Sequence, residues 1–500
     1  MSAREREIKL AAPSGFQLPS LTDPGNGIFV GATDTLDLDA TYYDTTDLRL
    51  ARAGALLRHR SDDGWTVKLP APVDGDDEAI ARDEHHFDGD ASRIPEDAAD
   101  LVRALVRNGE LAVVARLHTS RRRIPVRGVD GSAVAEVVDD RVEVVEGASL
   151  EQSFREIEIE LADTATAAQR GALLARLRAA GAGTTERTPK IVRALGPPAT
   201  APADVHVPEV HPRARIEEVV RAAIAACVVK VISTDPGVRL GENPEDVHQM
   251  RVATRRLRSH LRTFRSLVDE KWANELRDGL RWLGDVLGAV RDAEVLLDRL
   301  EHKVARLPSI DRPAAEKLLD HLRADLDRRR VRLLDALRSP RYLTLLDQLV
   351  LAARQPRLLL RIDDDPDIEV LKALVREPWE KLADAVDALG DDPPNSALHE
   401  VRIDAKRVRY AAEAVEPAFG KPARPFIRAI TELQDVLGEH QDAVIAGEWL
   451  RSSAGHAEDE AQSFAAGQLA GIEHHDSMTA RAAFPAAWKQ ASRKRLRAWL

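Results

Sequence analysis

Near the start of the sequence, EREIKL places Glu5, Glu7 and Lys9 at alternate positions, with Ile8 and Leu10 between and after them. Successive side chains of an extended strand point to opposite faces, so the three charges share one face. The alternation recurs. Arg58 and Arg60 share a face in LLRHR, Lys68 ends WTVK, Arg82 precedes Glu84, and Arg121 alternates with Arg123. Glu136 and Asp140 flank Val138, and REIEIEL carries Glu156, Glu158 and Glu160 opposite Ile157, Ile159 and Leu161. Five or more Lys/Arg converging on one space repel each other unless a polyanion neutralises them. Carboxylates beside them offer oxygen ligands suited to Mg²⁺ or Mn²⁺, which bridge to phosphate. Basic and acidic strands together describe a metal-dependent site for polyphosphate or a nucleoside triphosphate.

A second set of charges lies on helical spacing. His248, Arg251, Arg255, Arg258, Arg262 and Arg265 are 3, 4, 3, 4 and 3 residues apart, along one predicted helix face. Met250, Ala253, Leu257, Leu261, Phe264 and Val268 form the core-facing stripe. No acidic residue lies between Val247 and Val268. Solvated helices usually interleave Glu with Lys/Arg, and an unrelieved basic face costs self-repulsion that a bound anion removes. The pattern is duplicated: VHQMRVATRRLR (247–258) aligns with LHEVRIDAKRVR (398–409). His399, Arg402, Lys406, Arg407 and Arg409 then match His248, Arg251, Arg255, Arg256 and Arg258. LGDVLGAVRDA (283–293) aligns with LQDVLGEHQDA (433–443) at almost the same offset, so this half is expected to be a duplicated helical unit. Arg281, Arg291, Arg424 and Arg428 are candidates to extend its basic surface.

These patterns require two kinds of scaffold. Upstream of the Pro-rich GPPATAPADVHVPEVHP (196–212) the period is two; downstream it is helical, with breaks such as DPG (235–237) and DDPP (391–394). The expected organisation is a β-rich domain over 1–196, an extended linker over 197–212 and an all-α domain over 213–500. The charged strands fit either an antiparallel sheet with one solvated face or a closed barrel with a charged lumen. Wholly acidic and wholly basic strands favour the barrel, with predicted helices at 96–107 and 164–180 covering its apolar outside.

E-x-E-x-K at 5–9, then YYDTTDLRL (42–50), LLRHR, VKL, R-x-E (82–84), REIEIEL and TPK (188–190) resemble, in order, the CYTH family of triphosphate tunnel metalloenzymes. The resemblance implies an α+β domain with a closed eight-stranded antiparallel tunnel. Within it, Lys9, Arg58, Arg60, Lys68, Arg82, Arg116, Arg121, Arg123 and Lys190 would grip phosphates. Glu5, Glu7, Glu158 and Glu160 would hold Mg²⁺ or Mn²⁺, with Asp140 or Glu136 in support. Glu5, Glu7, Lys9 and Lys68 are the expected catalytic set. In TSRRR (119–123) a one-residue slip would exchange Arg122 for its neighbours. The duplicated helical motifs resemble the CHAD domain, which implies an all-α bundle binding inorganic polyphosphate through the His248–Arg262 and His399–Arg409 stripes.

The expected function is metal-dependent hydrolysis of inorganic triphosphate or a related triphosphate, coupled to a polyphosphate-binding module. A non-catalytic polyphosphate adaptor and a class IV-like adenylate cyclase remain as alternatives. Aromatic residues are 4% of the chain and do not interleave with basic ones, which disfavours nucleic acid. The net charge of −11 divides as 25 Lys+Arg against 34 Asp+Glu over 1–200, and 47 against 49 over 201–500. The single cysteine, Cys227, excludes an intrachain disulfide, and no run of eighteen apolar residues offers a membrane span. With no signal-peptide pattern in MSAREREIKL, the cytoplasm is the expected compartment, polyphosphate granules included.

Overall fold

A computed structural model describes the chain except residues 1, 14, 72–79, 148–151, 163, 187, 212–213, 360–367 and 458, and except the side chains of 2–6, 80 and 81. Two compact units divide it, Met1–Asp204 and Val205–Leu500.

In the first unit, nine strands form one antiparallel sheet: β1 (Ser2–Ala11), β2 (Phe29–Val30), β3 (Asp34–Asp44), β4 (Leu56–Arg60), β5 (Gly64–Pro70), β6 (Ile80–Phe87), β7 (Ala112–Arg127), β8 (Ala133–Glu146) and β9 (Ser153–Leu161). Their order is β2-β7-β3-β4-β5-β6-β1-β9-β8, and the row curls until β8 also pairs with β7. The expected edgeless barrel of eight strands is thus corrected. The ninth strand, β2, pairs with β7 only at Phe29↔Arg127 and Val30↔Val126, leaving an open edge on a curled sheet.

Period-two patterning decides which face is which. Ile8, Leu10, Ile157 and Ile159 point outward and are fully buried under Leu173, Leu174 and Leu177 of α3 (Ala167–Ala179). Thr166 and Gln169 start that helix by a reciprocal capping box. The alternate residues point inward and are also buried: Glu156 is 0% exposed and Glu158 3%, so a solvated charged face does not describe this sheet. A second helix, α2 (Glu96–Val106), lies against β5. A short helix, α1 (Arg49–Arg52), follows β3, and α4 (Lys190–Leu195) puts Ile191, Val192 and Leu195 against the inward residues Ala40, Tyr42, Ala115 and Leu117. The expected linker begins in order: Pro197–Thr200 is a 3₁₀ turn, and Asp204 pairs with Arg52 at 2.6 Å and with Arg107.

The second unit contains nine α-helices among the described residues. They are α5 (Ile216–Leu240), α6 (Pro244–Thr263), α7 (Glu270–Val304), α8 (Arg312–Arg338), α9 (Pro340–Arg354), α10 (Ile368–Asp387), α11 (Asn395–Phe419), α12 (Arg424–Ala454) and α13 (Glu460–Ala491). Consecutive packing of α5 through α8 recurs in α10 through α13, with α6 against α11. DPG does not break α5, which continues through Pro236 to Leu240. Buried Asp235 joins Arg239 at 2.6 Å and the Tyr342 hydroxyl at 2.7 Å there. No helix among the described residues is long and apolar enough to cross a membrane.

Candidate functional site

The inward faces of the curled sheet enclose a cavity of about 280 Å³. Its lining holds eight cations, Lys9, Arg58, Arg60, Lys68, Arg82, Arg121, Arg123 and Lys190, and seven carboxylates, Glu7, Asp62, Asp63, Glu84, Glu136, Glu158 and Glu160. Strand register explains the assembly. Lys9 lies opposite Glu158, Glu7 opposite Glu160, Lys68 opposite Glu84 and Arg121 opposite Asp140. At the centre, Lys9 Nζ is 2.7 Å from Glu158 and 3.4 Å from Glu7. Lys190, at the start of α4, reaches Asp140 at 2.5 Å, Glu158 at 3.0 Å and Glu156 at 3.1 Å. Arg121 adds bonds of 2.8 Å to Asp140 and 3.1 Å to Glu158. On the opposite wall Arg58 and Arg60 converge on Asp63, and Lys68 meets Glu84 at 3.2 Å.

The charges hold one another. Burial opposes the Lys9 ammonium, but Glu158, Glu7 and Glu156 outweigh it and raise its pKa. Burial would raise Glu158, yet Lys190, Lys9 and Arg121 keep it well below the usual carboxylate range. Glu156 differs: burial dominates and pushes its pKa up, although Lys190 lies 3.1 Å from one of its oxygens. Asp140, Glu156 and Glu158 can each bring one oxygen within 4.8 Å of the others, and so can ligand atoms of Asp63, Glu84 and His86.

Most expected site residues meet here, with particular departures. Arg116 does not: Ala115 and Leu117 take the inward positions, so Arg116 points outward, half-exposed, to Glu146 at 2.9 Å. Arg121 and Arg123 take the cavity side of TSRRR and Arg122 does not, while Arg123 sits at the rim bonded to Asp34. Asp140 is buried behind the lining, between Arg121 and Lys190. The backbone of Glu5 pairs with Arg82, but its side chain lies outside the described residues. Glu156 and the Asp63–Glu84–His86 wall were not expected as ligands. The parity of REIEIEL already put Glu156 on the Glu158 face, whereas Asp63 enters from a turn, where period-two reasoning has no purchase.

In the second unit the two basic stripes face each other. Asn243 caps α6 with Pro244 in its first turn, and helical spacing then presents Arg251, Arg255, Arg258 and Arg262 away from buried Leu257 and Leu261. Arg265 falls beyond the helix end at Thr263 and pairs with Glu377, so the expected six-residue stripe loses its last member. From α11, Arg402 and Lys406 approach Arg251 and Arg255, and Arg255 donates 2.7 Å to the Tyr410 hydroxyl. Burial, followed by Arg402, Arg255 and Arg251, pushes the Lys406 pKa down to about 7. Arg409 packs over Tyr410, Arg407 pairs with Asp404, and His399 bonds Gln441 at 2.9 Å. Burial and then Arg291 lower His248. The duplication extends to single contacts: Arg251 meets Asp292 across Gly288 as Arg402 meets Asp442 across Gly438. Arg281 lies near Arg258, but Arg424 and Arg428 line a different cavity.

Family models of the CYTH domain and the CHAD domain match residues 3–188 and 222–451. The Mycobacterium tuberculosis (strain ATCC 25618 / H37Rv) protein Rv2226, named as an uncharacterized protein, is 34% identical over 87% of this chain and 86% of its own. MT2285 of strain CDC 1551 / Oshkosh shows the same identity and coverage. Among solved structures, PptA from Streptomyces chartreusis is 25% identical with a TM-score of 0.47, covering 54% of this chain and 98% of its own. The CHAD domain from the plant Ricinus communis is 28% identical with a TM-score of 0.47, covering 58% and 96%. The chain belongs to the family of these mycobacterial proteins and joins a CYTH domain to a CHAD domain.

Proposed function

We propose that the CYTH domain hydrolyses inorganic tripolyphosphate, or a closely related triphosphate, with Mg²⁺ or Mn²⁺, while the CHAD domain holds inorganic polyphosphate. The observation that carries the first part is a small cavity with eight Lys/Arg side chains beside converging buried carboxylates. The donor set suits a hard divalent cation, since it is all oxygen and buried Glu7 Oε1 accepts no hydrogen bond among the described residues. Asp140, Glu156, Glu158 and Glu7 would hold the ion, with Glu160 and Glu5 completing the set. Such an ion supplies charge neutralisation to the phosphate oxygens. Phosphoryl transfer then depends on positioning and electrostatics. Lys9, Arg58, Arg60, Lys68, Arg82, Arg121 and Lys190 exchange carboxylate partners for phosphate oxygens, and a lining carboxylate accepts the proton of the attacking water.

For the CHAD domain, the mutual approach of Arg251, Arg255, Arg402 and Lys406 supports polyanion binding, because their repulsion is relieved only by a counter-charge. The internally paired tunnel favours one second reading, a polyanion-holding adaptor without turnover. Phosphate release by the full chain from tripolyphosphate, ATP, thiamine triphosphate and long-chain polyphosphate, with and without Mg²⁺ or Mn²⁺, separates the two. Metal-dependent release from tripolyphosphate supports the hydrolase; binding of all four without release supports the adaptor.

A further inference from the structure

Another cavity, of about 760 Å³, opens in the CHAD unit on a face of α6 turned away from its basic stripe. Its volume is typical of a small-molecule site. The walls are largely apolar, built by Val207, Val210, Ala222, Val252, Ala253 and Ile427. His260 lines it while only 4% exposed, and its Nε2 has no hydrogen-bond partner among the described residues. The ring's Nδ1 lies 3.4 Å from the Ala223 carbonyl and 3.8 Å from Cys227 Sγ. A carbonyl only accepts, so the ring hydrogen sits on Nδ1 and Nε2 is a bare acceptor. Burial, followed by Arg256, pushes the His260 pKa to about 3, which keeps the ring neutral. A buried acceptor left unsatisfied is costly, and a ligand O–H or N–H relieves that cost.

The lining also carries four cations, Lys230, Arg256, Arg424 and Arg428, against Glu413 and Glu416. Both acids are engaged, Glu413 by Arg256 at 3.0 Å and Glu416 by Arg424 at 2.7 Å. Exposed Lys230 and Arg428 supply the positive excess.

We propose that this cavity binds a small amphipathic acid, with its apolar body along the helix walls, its anionic group at Lys230 and Arg428, and a hydroxyl donating to His260 Nε2. Titration calorimetry on the full chain would compare 12-hydroxydodecanoate, dodecanoate and 1,12-dodecanediol. The hydroxy acid binds saturably, and dodecanoate binds about fivefold more weakly for want of one hydrogen bond. The exposed-site double variant Lys230→Glu/Arg428→Glu weakens both acids about tenfold or more, by loss and reversal of rim charge, and leaves the diol unchanged. His260→Leu erases the preference for the hydroxy acid; if it does not fold, the comparison of the two acids on the wild-type chain stands in its place. Absence of saturation by about 1 mM, the weak end of specific affinity, would overturn the proposal. So would equal affinity for the three probes, an inert rim variant, or displacement of the hydroxy acid by long-chain polyphosphate, which would place it on the basic surface.

Discussion

Glu156, Glu158 and Lys406 show how much a side chain's chemistry depends on its neighbours. Glu158 is held ionised by Lys190, Lys9 and Arg121, whereas burial raises Glu156 two residues away on the same face. Glu158→Gln removes a ligand charge while preserving shape, so tripolyphosphate hydrolysis at saturating Mn²⁺ should fall about 100-fold or more, a loss typical of removing a preorganised electrostatic group. The thermal midpoint and the metal dependence of residual phosphate release check this; a wild-type rate refutes the ligand assignment. Lys406 yields a pH prediction. Its free-state pKa of about 7 lies below the ordinary lysine value, and a bound polyanion raises it, so binding takes up a proton. Polyphosphate affinity should therefore fall as pH rises through 7 towards alkaline values, while Lys406→Arg stays charged and flattens that stretch. The groups facing it are Arg402, Arg255, Arg251 and Asp442. His248, lowered from its ordinary value, titrates below this window. Anisotropy titrations at constant ionic strength are the measurement.

At the scale of elements, the two faces of α6 let the proposed binding and the stability be tested separately. Replacing Arg251, Arg255 and Arg258 together with Gln should weaken long-chain polyphosphate binding and flatten its salt dependence, since fewer counterions are released. Leu261→Ala, on the buried face, should cost about 2–5 kcal/mol in denaturant unfolding and leave the salt slope of the folded protein unchanged. A triple variant with the wild-type slope would make the stripe an ordinary solvated face. Both periods were readable beforehand: two in REIEIEL, and three or four in the 247–258 motif. The element ends were not. Phe264 and Val268 continue the apolar spacing and are buried, yet the helix stops at Thr263, and Asp269 caps α7 six residues later. Apolar spacing reports burial, and a residue in a turn can be buried as well as one on a helix. Pro236 departs in the opposite direction: α5 continues past it, where Asp235 pairs with Arg239 one turn on and accepts from the Tyr342 hydroxyl of α9.

For the whole molecule, the two proposed activities use no residue in common, so their lesions should be separable. In the full chain, the triple Gln variant of α6 should lose polyphosphate binding at wild-type tripolyphosphate turnover, and Glu158→Gln should do the reverse. Loss of both by either variant, with both proteins folded, would mean that one site serves both ligands. The sequence by itself determined the β and α halves, the inward parity of the charged strands and the duplicated basic helix, because alternation and helical spacing are local properties of the chain. Tertiary structure decided what depends on distant partners. β2 adds a ninth strand too short to show a period, and a turn residue, Asp63, completes one wall of the cavity. The pairing of Arg251 and Arg255 with Arg402 and Lys406 is of the same kind. Residues some 150 positions apart are brought together by helix packing, and no local pattern states which faces meet.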